Sequence, residues 1–262
     1  MRALHTAASG MLAQELNVQV IANNIANMRT TGYKKQTAQF QDLLYEHVRR
    51  IGAQASDQGT ILPVGIDIGG GVKTVGTPRS MSQGTLAQTG NDLDIAIRGE
   101  GFFKILLPNG NFAYTRDGSF QLDAQGRVVT SQGNPVQPTI TMPANASGTT
   151  INAQGQVSVT LPGQTAATVV GQIGLTRFIN KAGLLSIGDN LFQETPASGA
   201  PQDGLAGADG YGDMQQGNLE QANVEVVTEI SDLIAAQRAY EMNAKVVSAA
   251  DQMLQSTSNM FR

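Results

Sequence analysis

Apolar lanes with a seven-residue spacing run along both ends of this chain, and they limit its possible folds more than any other feature. Val226, Leu233, Tyr240, Val247, Leu254 and Phe261 recur at that interval through the last forty residues. Leu4, Met11, Val18 and Ile25 do the same near the N-terminus. On a helix such a lane is a seam that requires another helix against it. Two seams far apart in sequence can be satisfied by each other and by neighbouring copies, which points to a self-assembling protein rather than an enzyme. The companion lane of the C-terminal segment, Ile230, Gln237, Ala244, Asp251 and Ser258, turns polar halfway along. One intrachain helix pair would therefore leave Val227, Ile234, Met253 and Met260 for neighbours to cover. The expectation that follows is of terminal segments poorly ordered in the free subunit and ordered on assembly. The alternative is an ordinary intramolecular helical hairpin.

The N-terminal pattern predicts one helix over residues 2–28, roughly 40 Å long at 1.5 Å per residue. Its polar face carries amides, Gln19, Asn23, Asn24 and Asn27, rather than charge. Amides favour either solvent or interhelical hydrogen bonds. Gly32, after Thr30 and Thr31, suits a left-handed position that stops the helix. At the other end Asn223 is placed as the N-cap of a helix reaching to Met260, with Glu225 and Glu229 near its positive end.

Between the ends the pattern changes. Residues 33–90 are rich in Gly, Gln, Ser and Thr, broken by Pro63 and Pro78, but Val64, Ile66 and Ile68 alternate. An extended arm of short strands is expected there. In residues 91–221, Leu93, Ile95 and Ile97 alternate with Asp92, Asp94 and Ala96, the pattern of a half-buried strand. Turn signals follow about every ten residues: Pro108-Asn-Gly110, Arg116-Asp-Gly118, Asp123-Ala-Gln-Gly126 and Gln132-Gly-Asn134. They predict a meander of hairpins. Leu122-Asp-Ala-Gln-Gly-Arg-Val128 is echoed by Ile151-Asn-Ala-Gln-Gly-Gln-Val157 and more loosely by Ile179-Asn-Lys-Ala-Gly-Leu184. That is repeated turn chemistry. Residues 196–222 read as a turn-rich return to the last helix. The expected fold is α+β. Residues 1–32 with 222–262 form a coiled-coil-type helical inner domain, 33–90 the arm, and 91–221 an all-β outer domain.

Composition excludes several functions. The net charge of -4 gives no pull towards nucleic acid, and no apolar run is long enough to span a membrane. The absence of cysteine removes thiolate chemistry and Cys-ligated metals. His5 and His47 are the only histidines, and no phosphate loop, nucleophile elbow or zinc-helix motif is present. Asp92 and Asp94 have no third acid or histidine nearby in sequence and read as exposed strand residues. No catalytic residue, metal, cofactor or small-molecule substrate is expected. No cleavable secretory signal is expected either, because His5, Gln14 and Glu15 interrupt the apolar start.

Two stretches carry a resemblance. Ile21-Ala-Asn-Asn-Ile-Ala-Asn27 followed by Thr30-Thr-Gly-Tyr-Lys34 resembles the N-terminal signature of bacterial flagellar rod and hook subunits. Gly217-Asn-Leu-Glu-Gln-Ala-Asn-Val224 and Leu233-Ile-Ala-Ala-Gln-Arg-Ala-Tyr-Glu-Met-Asn-Ala-Lys245 resemble that family's C-terminal signature. Asn23, Asn24, Asn27, Thr31, Gly32, Tyr33, Asn223, Gln237, Arg238 and Tyr240 are the motif positions, with Tyr33 standing where many relatives have Phe. The resemblance implies an axial protein of the flagellar basal body, exported by the flagellum's own type III apparatus and spanning periplasm to outer membrane. Its partners would be other copies in a helical homopolymer, proximal-rod and hook subunits, and ring proteins acting as a bushing. The stretch from about Tyr45 to Gly84 is most similar to the distal-rod branch, where it is thought to make the tube straight and stiff. A proximal-rod or hook-type sibling is the alternative within the family. A secreted monomeric β-rich enzyme or adhesin is the alternative outside it.

Overall fold

A computed structural model describes residues 2–49, 64–162 and 167–260 of the chain. The chain divides into two compact units. One holds residues 1–25, 36–78 and 225–262; the other holds 26–35 and 79–224.

The first unit contains the two long helices. Helix α1 runs Arg2–Ala26 and α2 runs Val226–Met260. They pack antiparallel, as two contacts show. A Cβ on Gly10 would lie 2.9 Å from the Asn243 amide nitrogen, and Asn24 Nδ2 donates to Glu229 Oε2 at 3.1 Å. Gly10 to Asn24 is fourteen residues, as is Asn243 back to Glu229, so one register accounts for both contacts. That register sets Asn17 against Ala236 and Ala3 against Ala250. Small residues along the line let the backbones approach closely.

In the same unit, residues 36–49 and 64–78 form the described part of the arm, a two-stranded antiparallel ribbon. Gln39–Asp42 pairs with Val72–Gly76, and Tyr45–Arg49 pairs with Ile66–Gly69. The expected short strands are therefore present, paired with each other across the ribbon. The ribbon is tied to α1 where Val72 N–H donates to Ser9 Oγ at 3.3 Å and Arg2 meets Glu46 at 2.6 Å. Gly71 lies at φ +114°, and a Cβ there would collide with Ser9 Oγ.

The second unit is the β body, with a core that includes Ile95, Ile97, Phe103, Ile105, Phe120, Val157 and Leu175. The turn echo has a common geometry. Asp123 Oδ1 accepts from the N–H groups of Gln125 and Arg127, and Asn152 Oδ1 accepts from those of Gln154 and Gln156. Each turn closes an antiparallel pair, with Gly126 and Gly155 at positive φ. The looser third copy differs. Asn180 spends its amide on Ala197 O, and Lys181–Gly183 form a short 3-10 turn instead.

Three further expectations need correction. Ile95, Ala96 and Ile97 are all buried, so the strand Ile95–Arg98 is covered on both faces rather than half-exposed. Asp94 is likewise buried, accepting from Asn91 at 3.1 Å. The body is not a plain meander. Phe112–Thr115 pairs with Leu191–Gln193, Ile95–Arg98 with Asp213–Gln216, and Gly174–Arg177 with Gln202–Leu205. The stretch 196–222 therefore contributes the strands Gln202–Leu205, Asp213–Gln216 and Asn218–Glu220, not only turns.

Candidate assembly seam and buried ion junction

The seam residues divide between two kinds of surface. Leu4, Met11, Val18 and Ile25 are half-buried, as are Leu233 and Val247, while Val226, Tyr240 and Leu254 are exposed. Phe261 lies outside the described residues. The most buried positions occupy the neighbouring lanes: Ala7, Ala13, Val20, Ile21 and Asn24 on α1, and Glu229, Ala236 and Ala250 on α2. The intrachain contact is thus centred beside the lanes read from the sequence, and the companion of the 226–254 lane is Glu229, Ala236, Asn243 and Ala250, not the Ile230 lane. Close helix packing selected small side chains there, and a reading based on large apolar residues passes over them. The face bearing Val227, Ile230 and Ile234 stays open, as do Met253 and Met260.

The motif amides have separate duties. Asn23 is exposed, whereas Asn24 is buried at the helix pair. Its Nδ2 also donates to Gln36 O at 2.8 Å, and its Oδ1 accepts from Gln36 N–H at 2.9 Å, joining α1, α2 and the start of the arm at one point. Asn27 and Thr30 close the turn after α1, with Thr30 N–H donating to Asn27 O. Gln237 and Arg238 are exposed. Asn223 is not the N-cap, since α2 begins at Val226. Its Oδ1 accepts from Lys35 N–H at 2.8 Å and its Nδ2 donates to Ser80 O at 2.9 Å.

In the β body the Thr31-Gly-Tyr-Lys34 segment reaches a buried ion junction. Gly32, at φ +68°, donates its N–H to Glu220 O, and a Cβ there would lie 2.7 Å from Asp117 N. Asn190 Nδ2 donates to Thr31 O at 3.0 Å. Tyr33 is buried beneath the Arg79 guanidinium. Lys34 Nζ then lies 2.5 Å from Glu220 Oε1 and donates to Ser82 O at 2.8 Å. Arg116 approaches the other Glu220 oxygen at 3.3 Å and donates to Gly99 O at 2.7 Å, with its guanidinium over the Phe102 ring. Lys34, Arg116 and Glu220 are all almost fully buried. Burial pulls both cations below their ordinary pKa, with Glu220 opposing the shift in each case. One carboxylate therefore holds two cations contributed by the outgoing chain and a core hairpin, while itself sitting on the returning chain.

Reading the sequence for seams missed this junction. A signal was available. Lys34 and Glu220 are charged residues inside two quoted motifs of a chain in which charged residues make up only 15%. Arg116 stood in a segment read only as a turn.

Comparison with known proteins agrees with both terminal signatures. Residues 4–34 match the flagella basal body rod protein family, 96–159 the flagellar hook protein FlgE/F/G D1 domain, and 215–260 the flagellar basal body rod FlgEFG protein C-terminal family. The flagellar basal-body rod protein FlgG of Caulobacter vibrioides is 54% identical over 260 residues, covering 99% of each chain. The FlgG of Borreliella burgdorferi is 47% identical, covering 100% of this chain and 99% of its own. A second rod protein of Caulobacter vibrioides, FlgF, is 34% identical over 97% of this chain and 95% of its own. With matches of this extent at both ends and through the β body, the chain belongs to the flagellar basal-body rod protein family.

Proposed function

We propose that this chain is the structural subunit of the flagellar distal rod, polymerising into a stiff tube that carries torque from motor to hook. One comparison within a single organism carries the assignment to this branch. Identity to the Caulobacter vibrioides FlgG exceeds identity to its FlgF by a wide margin at nearly equal coverage, 54% against 34%. The physical features agree with the role. The long helices expose apolar side chains that a monomer has no use for and a polymer covers. Torque then passes through noncovalent contacts, with seams that resist separation and an arm that resists bending.

The finer picture rests on the family. Residues 1–32 with 222–262 line the inner tube, 33–90 interlock neighbours, and 91–221 form the outer wall turning within the basal-body rings. The subunit leaves the cell through the flagellar export apparatus and joins proximal-rod subunits below and hook subunits above. Free subunits order their terminal segments on joining the rod.

Leu254→Asp provides the test. Leu254 is exposed and α2 continues past it, so the change leaves the intrachain packing alone and places a charge on the polymer contact. Sedimentation and electron microscopy should show polymer from the parent chain and none from the variant, while the β body unfolds at an unchanged urea midpoint. Normal tubes from the variant would remove the seam role. A parent chain that remains monomeric at every concentration would remove the polymer itself.

A further inference from the structure

The methionines of this chain are sorted by exposure. Of the nine, all but Met1 lie within the described residues. Met142 and Met214 are buried in the β-body core, and Met11, Met28 and Met81 are half-buried. The exposed ones, Met242, Met253 and Met260, are all on α2, at 60%, 63% and 86% exposure. Met253 follows Met242 by eleven residues and Met260 follows it by eighteen, close to three and five full helical turns, so the three share one stripe. Val246, also exposed, adjoins that stripe. The buried positions of α2, Glu229, Ala236 and Ala250, lie roughly a quarter-turn round the helix. A change at the three sulfurs therefore leaves the intrachain packing alone.

We propose that Met242, Met253 and Met260 form an oxidation site for hydrogen peroxide, and that their conversion to sulfoxides stops the free subunit from assembling. A methionine side chain packs as an apolar group, yet its thioether keeps a nucleophilic lone pair. That pair attacks one peroxide oxygen and forms the S–O bond as the O–O bond breaks. The sulfur is oxidised by two electrons and the peroxide is reduced by two. The proton on the transferred oxygen passes to the departing hydroxide, which leaves as water. Exposure decides which sulfurs react, so the stripe on α2 reacts before the core methionines of the β body. The product is polar, and three sulfoxides turn an apolar stripe into one that resists losing its water. This inference rests on the polymer reading, in which neighbours cover the open apolar side chains of the helices, and adds a chemical switch to it.

The chain has no cysteine, so peroxide meets no competing thiol. The full-length parent and a variant carrying Met242→Leu, Met253→Leu and Met260→Leu are treated with hydrogen peroxide, quenched and set to polymerise. Peptide mass spectrometry should show the three α2 sulfurs oxidised ahead of Met142 and Met214, with far-UV circular dichroism unchanged. Pelleting of the treated parent should fall at least about tenfold, because burying even one such side chain is worth that much in an equilibrium constant. The leucine variant keeps an apolar stripe without sulfur and should pellet alike with and without peroxide. Treating the oxidised parent with methionine sulfoxide reductase should restore its pelleting, a check that needs no variant. Undiminished pelleting of a parent whose three sulfurs are oxidised would overturn the switch and leave the polymer intact. Oxidation spread evenly over core and α2 methionines would overturn the site, and so would a loss that reduction does not reverse. Failure of the untreated parent to pellet would overturn the polymer reading and the switch together.

Discussion

Replacing Glu220 with glutamine tests the buried junction at its centre. The change preserves shape and removes only the negative charge, leaving the Lys34 ammonium and the Arg116 guanidinium buried without the carboxylate that contacts both. Removing one partner of a buried ion pair costs about 3–5 kcal/mol, and here one carboxylate serves two cations. For a β body of this size a loss of about 4 kcal/mol lowers the Tm by about 8–16 °C. The chain has no Trp, so far-UV circular dichroism in urea, supported by tyrosine emission, provides the readout. The deficit should also depend on pH, with a definite sign. Lys34 is already held below its ordinary pKa by burial, against the pull of Glu220. Without Glu220 it falls further, so between the variant's folded pKa and the parent's, folded parent keeps the Lys34 proton that folded variant has lost. Stability of the variant relative to the parent therefore recovers as pH rises through that window, and the deficit is largest below it. Combining Glu220→Gln with Lys34→Met and Arg116→Met removes the stranded charges and should restore much of the loss. A deficit below about 1 kcal/mol, the range of exposed ion pairs, would refute the reasoning, as would a triple variant no more stable than the single one.

Gly32→Ala should destabilise the β body by more than about 1 kcal/mol, because it combines a positive φ with a Cβ 2.7 Å from Asp117 N; an unchanged urea midpoint would contradict this. Deleting residues 46–63 should produce a more flexible, hook-like tube, and electron micrographs of straight tubes would dismiss the stiffening role of the arm. Burial pushes the Asp203 carboxyl up, but hydrogen bonds from Lys104 and Thr176 more than offset this and hold it below its ordinary value. Its contribution is present above about pH 3.9 and lost as pH falls through the folded pKa. Asp203→Asn should therefore show a flatter acid limb in a stability–pH series, and parallel curves would exclude that contribution.

Much of the chain was legible where a pattern is local. The spacing in residues 2–28 predicted α1 almost to its end, and Asp123 and Asn152 announced two turns because an Asx side chain reaches only its own neighbours. Legibility failed where a residue's partner is distant. Asn223 has the chemistry of an N-cap, but Lys35 and Ser80 claim its side chain first. The burial of Ile95-Ala-Ile97 on both faces could not be read from alternation, because Asp213–Gln216 supplies the neighbouring strand from more than a hundred residues away. The seam lanes were visible because large apolar residues stand out. The packing that brings Gly10 to Asn243 and buries Ala236 and Ala250 was not, because small residues carry little hydropathic signal and matter only when another backbone comes close.

Sequence alone therefore determined that both ends are helical, that they carry more apolar surface than a single chain covers, and that the middle is a β body punctuated by turns. These properties are set by periodicity and turn chemistry, which act over a few residues. Tertiary structure decided which lane α1 and α2 share, where the open faces lie, and that Lys34, Arg116 and Glu220 meet. Each of those depends on long-range packing, where the burial of a charge or the approach of two backbones is fixed by geometry that no local window of residues contains.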